Sequence, residues 1–151
     1  MDAIIIVDVQ KDFPIPPELL DKIERRSREF PLRIFTKFIN LPESLFRRKL
    51  QRTSCLPGTP GVELALPTTA RDLVLEKSGY GLGPAQVRRI IDAGVRRALV
   101  CGVDTDACVL GVVFSLFDAG VDCEVDRTLC WSSTGLHEAA LKIVQEQFGT
   151  G

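Results

Sequence analysis

The chain has 151 residues, 45% hydrophobic and 26% charged, with a formal net charge of -1. That is enough apolar material for one packed domain, here expected over 1–151, and too even a charge balance for a nucleic-acid binder or a disordered tail. The five cysteines are odd in number and lack CxxC spacing, which argues against a disulfide framework and fits a reducing cytoplasm. The start has no basic segment, and the longest apolar stretch, 107–117, is too short to span a bilayer, so no membrane partner is expected.

Residues 4–7 are a β-branched run ending in Asp8, as in a buried parallel strand, and Pro14, Pro16 and Pro17 turn the chain into a helix from about residue 18. A second strand is expected over 32–38 and a short basic helix over 43–52. Prolines and glycines between 53 and 69 mark a loop able to shape a substrate entrance. A third strand over 72–75 leads into a glycine-rich connection, 76–83, and Pro84 opens a helix to about residue 93, stopped by Gly94. The fourth strand covers 97–103. Asp104 or Thr105 then caps a long apolar helix from 106 to about 119, stopped by Gly120. A fifth strand over 121–125 and a final amphipathic helix over 135–148 complete the chain.

Apolar strands alternating with helices imply an α/β fold, a parallel sheet covered on both faces in a three-layer, doubly wound, Rossmann-like arrangement. Ligands of such sheets bind beyond the carboxyl ends of the strands. Asp8, Lys77 and Cys108 follow the first, third and fourth strands. Taken singly, each has an ordinary reading: a turn carboxylate, a solvated lysine, a small core thiol. Cys108 stands out because a place in the first helical turn would lower its pKa below the ordinary value of about 8.5 and would offer backbone N–H groups to an oxyanion.

The stretch Gly102-Val103-Asp104-Thr105-Asp106-Ala107-Cys108-Val109 resembles the nucleophile motif of isochorismatase-like cysteine hydrolases, which include nicotinamidases and related small-amide hydrolases. Ile6-Val7-Asp8-Val9-Gln10-Lys11-Asp12-Phe13 is similar to the opening motif of that family, Glu76-Lys77-Ser78-Gly79-Tyr80 to its lysine segment, and Pro57-Gly58-Thr59-Pro60-Gly61 to its glycine-proline loop. The resemblance implies strand order 3-2-1-4-5 and an Asp8, Lys77, Cys108 triad. Asp8 would be the base that takes the thiol proton and later activates water, and Lys77 would balance charge. It also implies a cis peptide at Val103-Asp104 and an oxyanion hole made by the amides of Asp104 and Cys108. A small apolar residue is usual where this chain has Asp104, whose carboxylate would repel an oxyanion unless it points away or is neutralised.

The nicotinamidase branch ends its second strand in an Asp-x-His pair that binds a metal; here the stretch is Phe38-Ile39-Asn40. With His137 the only histidine, and assigned a structural or capping role, no metal site and no cofactor are expected. Phe13, Phe38, Tyr80 and Trp131 are candidates for an apolar substrate pocket. The basic run 47–52 reads as a solvated helix face or a subunit contact. The function expected is a cysteine-dependent amidohydrolase acting on a small molecule through a thioester, in a homo-oligomer without nucleic-acid partners. Two alternatives stand beside it: a catalytically silent binding or assembly protein on the same fold, and a vinyl-ether hydrolase of isochorismatase type.

Overall fold

A computed structural model describes residues 1–149. Five strands, β1 (Ala3–Val7), β2 (Arg33–Phe38), β3 (Leu73–Lys77), β4 (Arg97–Val103) and β5 (Asp122–Trp131), form one all-parallel sheet in the order β3-β2-β1-β4-β5. Helices flank the sheet: α1 (Pro17–Ser27), α2 (Leu45–Arg48), α3 (Pro84–Asp92), α4 (Leu110–Asp118) and α5 (His137–Phe148). The strand order is the one the motifs imply. Among the described residues no helix is long and apolar enough to cross a membrane.

The central strand shows why its sequence lacks alternation. All five residues of β1 are fully buried, because helices cover both faces, and a strand with two buried faces has no polar positions to spare. β1 and β4 approach closely at their carboxyl ends, where Gly102 has φ +118° and a Cβ would lie 2.2 Å from the Val7 carbonyl oxygen. Only glycine fits there. This close pairing brings the end of β1, and so Asp8, beside the turn that carries Cys108.

Several boundaries differ from the sequence reading, each for a local reason. β3 runs on to Lys77, whose register partner is Phe38, so the lysine is held by a strand and not by the glycine-rich connection. β5 continues to Trp131 past a register shift opposite Val100 and Gly102; the polar Asp126-Arg127-Thr128 segment looks like a loop because it carries the irregularity. The basic helix shrinks to α2. Ser44 caps it by accepting the Arg47 N–H, and positive φ at Gln51 marks the departure from helical geometry. The apolar helix opens with a π-turn, Thr105–Val109, before α4.

At the amino end of β2, Arg33 is buried in a fully bonded ion pair. Its Nη2 donates to Asp72 Oδ2 at 2.6 Å and its Nε to Asp72 Oδ1 at 3.1 Å, while Nη1 reaches Glu24 and Ser27. Burial opposes ionisation of Asp72, but the hydrogen bonds from Arg33 and the Thr69 amide outweigh it and hold the carboxyl below its ordinary pKa.

Candidate active site

Asp8 follows β1 in a left-handed conformation, φ +51°, which turns its carboxylate over the end of the sheet. The residue is fully buried. Thr36 on β2 fixes it from one side: the Asp8 amide donates to Thr36 Oγ1 at 3.1 Å, and that hydroxyl donates to Asp8 Oδ1 at 2.6 Å. From the other side Lys77 Nζ lies 2.9 Å from Asp8 Oδ2, with both side chains 1% exposed. Two strand spacings separate β3 from β1, about 10 Å, and the lysine stem spans the gap across Phe38, with Nζ 5.3 Å from the ring centroid.

The ammonium directs its hydrogen bonds at the carbonyls of Gly79, 2.7 Å, and Tyr80, 3.2 Å. Asp8 Oδ2 is thus close to a positive charge, yet no donor makes a well-directed hydrogen bond to it. The loop that supplies the two carbonyls is pressed against α4: a Cβ on Gly111 would lie 2.7 Å from the Tyr80 backbone, and the Leu82 amide donates to Ser115 Oγ at 3.0 Å.

Cys108 lies in the π-turn between β4 and α4, partly exposed. The Asp104 carbonyl accepts from the amides of Ala107 and Val109, both at 3.1 Å, passing over the Cys108 amide between them. The Val103-Asp104 peptide is cis, as the family resemblance implies. The expectation of an acidified thiol is corrected. Burial first, and then the negative charge of Asp8, push the Cys108 thiol well above the ordinary range, against a smaller opposing effect of Lys77. A turn dipole acts weakly over a short, irregular helix start, whereas desolvation and a carboxylate act directly on the sulfur.

The opening motif also braces the rest of the site. Gln10, fully buried, donates to the carbonyls of Phe38 at 2.9 Å and Val62 at 2.8 Å and accepts from the Phe38 amide. Asp12 Oδ2 accepts from the Cys55 amide at 2.7 Å. These bonds tie the proline-rich 53–69 segment to the end of β1 and β2.

Of the proposed pocket aromatics, Phe38 and Tyr80 are linked through Phe46, which stacks edge-on against both at centroid distances of 4.8 and 4.9 Å. Tyr80 is 41% exposed and Phe38 only 6%, so Tyr80 presents a face and Phe38 backs it. Phe13 packs between the two core clusters, and Trp131 stands apart on β5, opposite Val103. Sequence reading missed Phe46, because a basic run around it masks the single aromatic. It also missed Ser132, Ser133 and Thr134, which bond the carboxylates beside Cys108.

The isochorismatase domain model matches residues 2–150. Solved structures agree in fold: pyrazinamidase of Pyrococcus horikoshii in complex with zinc, TM-score 0.87 at 22% identity over 97% of this chain and 95% of that one; nicotinamidase from Bacillus subtilis, TM-score 0.84 at 18% identity over 98% and 96%; and a cysteine hydrolase from Pseudomonas syringae pv. phaseolicola, TM-score 0.81 at 17% identity over 98% and 86%. No curated protein matches the chain. The residues after β2 do not fit a zinc ion. Asn40 spends its amide on the carbonyls of Arg52 and Ser54 and accepts from Ser44, Phe38 is packed on Phe46, and among the described residues no three His, Cys, Asp or Glu side chains cluster to hold a metal.

Proposed function

The chain belongs to the isochorismatase domain family, and from that premise we propose that it is a metal-independent cysteine hydrolase that cleaves the C–N bond of a small amide through a thioester on Cys108. The observation that carries this reading is the buried Asp8 carboxylate with its Oδ2 2.9 Å from Lys77 Nζ, and the Cys108 thiol under the influence of both groups.

The raised thiol pKa sets the order of events. At neutral pH the sulfur is protonated, so attack on the substrate carbonyl is coupled to transfer of its proton to Asp8. The sulfur forms a bond to carbonyl carbon, the carbonyl electron pair moves to oxygen, and the amides of Asp104 and Cys108 receive that oxyanion. Collapse of the tetrahedral adduct breaks the C–N bond, and protonated Asp8 returns the proton to the departing amine. Water then attacks the thioester with Asp8 again as base, releasing the carboxylic acid and restoring the thiol. Lys77, anchored by two carbonyls, holds a fixed positive charge beside a carboxyl that gains and loses a proton in each half-reaction.

The pocket in this reading is walled by Tyr80 over Phe46 and Phe38, with Phe13 on the side of the 53–69 segment. The test is ammonia release from a panel of small primary amides with and without EDTA, together with intact and peptide mass of the trapped enzyme. Turnover in EDTA, an acyl group on Cys108 and its loss in Cys108→Ser are expected. Turnover that survives in Cys108→Ser, or needs an added metal, would overturn the proposal.

A further inference from the structure

Three consecutive side chains just before Cys108 are all tied to the connection from β5 to α5 or to the first residue of α5. Ser133 Oγ donates to Asp104 Oδ2 at 2.7 Å. Ser132 Oγ donates to Asp106 Oδ1 at 2.6 Å, and Thr134 Oγ1 to Asp106 Oδ2 at 2.9 Å. Thr105, fully buried between them, shares a 2.8 Å hydrogen bond with His137 Nδ1 at the start of α5. Hydroxyls, not cations, receive both carboxylates. Both carboxylates are therefore aimed at the loop.

We infer that this loop is a clasp whose residues, Ser133 above all, are positioning residues for the oxyanion hole: they draw the Asp104 and Asp106 carboxylates aside so that neither opposes the charge that develops on the substrate oxygen. The inference rests on the reading of Cys108 as nucleophile. Asp104 supplies an amide to the proposed hole from the same residue that carries a carboxylate. Its amide attracts the oxyanion and its side chain repels it, so the net effect depends on where the carboxylate is held. The Ser133 bond holds it on the loop side. Because Ser133 and Thr134 are exposed, removing one hydroxyl leaves the core packing intact.

Two reagents separate this role from general support of the fold. p-Nitrophenyl acetate acylates the sulfur through a tetrahedral oxyanion: the S–C bond forms, p-nitrophenolate leaves and the thiol proton passes to Asp8. Iodoacetamide alkylates the same sulfur by displacing iodide, with the proton lost in the same way and no oxyanion. With both rates followed at Cys108 by peptide mass, Ser133→Ala is expected to acetylate about tenfold more slowly, a fraction of the effect of losing a whole oxyanion donor, and to alkylate at the wild-type rate. Adding Asp104→Asn should restore acetylation to within about twofold, because the neutral side chain no longer opposes the oxyanion. A parallel fall in both rates, an unchanged acetylation rate, or a slow rate that persists in Ser133→Ala/Asp104→Asn would overturn the clasp. Wild-type protein that acetylates at other cysteines but not at Cys108 would overturn the nucleophile reading and the clasp with it, an outcome distinct from the other three.

Discussion

Among the described residues two ion pairs are buried, at opposite ends of the same sheet. Arg33–Asp72 is closed: both carboxylate oxygens receive guanidinium hydrogen bonds, Thr69 adds another, and the side chains are 6% exposed. Lys77–Asp8 is more deeply buried, at 1% for each side chain, yet one carboxylate oxygen has no directed donor. A pair that only stabilises has every reason to be completed, since an unmet polar atom in the interior costs about 1–3 kcal/mol. In the proposed function the open oxygen of Lys77–Asp8 takes the thiol proton, while Arg33–Asp72 serves the fold alone.

The widest separation between the pairs is expected on neutralising each carboxylate. Asp8→Asn should lower turnover per folded molecule by about a thousandfold or more, the scale of losing a shared acid and base, and should also cost about 3 kcal/mol of stability because the buried Lys77 ammonium loses its counter-charge while keeping the carbonyls of Gly79 and Tyr80. Turnover near wild type in that variant contradicts the role proposed for Asp8 Oδ2. Asp72→Asn should cost a similar amount, about 3 kcal/mol in denaturant unfolding, but leave turnover per folded molecule unchanged. Its pH signature follows from the depressed carboxyl. The stabilisation is present above the unfolded carboxyl pKa of about 3.9 and is lost as pH falls through the lower folded value. Wild type should lose that increment in acid, and Asp72→Asn should show no such loss.

A smaller effect sharpens the chemical pair. The thiolate absorbance of Cys108, taken as wild type minus Cys108→Ser, should titrate above the ordinary thiol value of about 8.5. It should shift downward in Asp8→Asn, since one of the two causes that raise it is removed while Lys77 remains. An acidic thiol in wild type would restore the helix-dipole expectation. The smallest effect serves as a control: Arg127 and Glu138 pair at 2.9 Å on the surface, 62% and 70% exposed, and Glu138→Gln should change stability by less than about 0.5 kcal/mol.

The sheet was legible because parallel strands buried on two faces leave unbroken apolar runs, and 4–7 and 98–103 are such runs. Asp8, Lys77 and Cys108 could be placed at strand ends by the same logic, and the family resemblance implied their roles. Less legible was anything set by backbone irregularity. A π-turn and an α-turn share the same apolar pattern over 105–109, so the residues around Cys108 gave no sign of which would form. The thiol's raised pKa depends on depth and on Asp8, a hundred positions away in sequence. Ser132, Ser133 and Thr134 carry no periodicity at all. Their role emerges only when the fold lays them against Asp104 and Asp106.

Thr36 gives the site a further property. Its hydroxyl occupies Asp8 Oδ1 with a 2.6 Å bond and is itself held by the Asp8 amide, so the carboxyl is clamped against rotation. In the proposed cycle one oxygen, Oδ2, must then both collect and return every proton. Nothing has to swing between the two half-reactions, and the proton's path is as short as the gap between Asp8 and the sulfur. Catalysis there would run on a stationary relay, timed by the arrival of amine, water and substrate and not by motion of the protein.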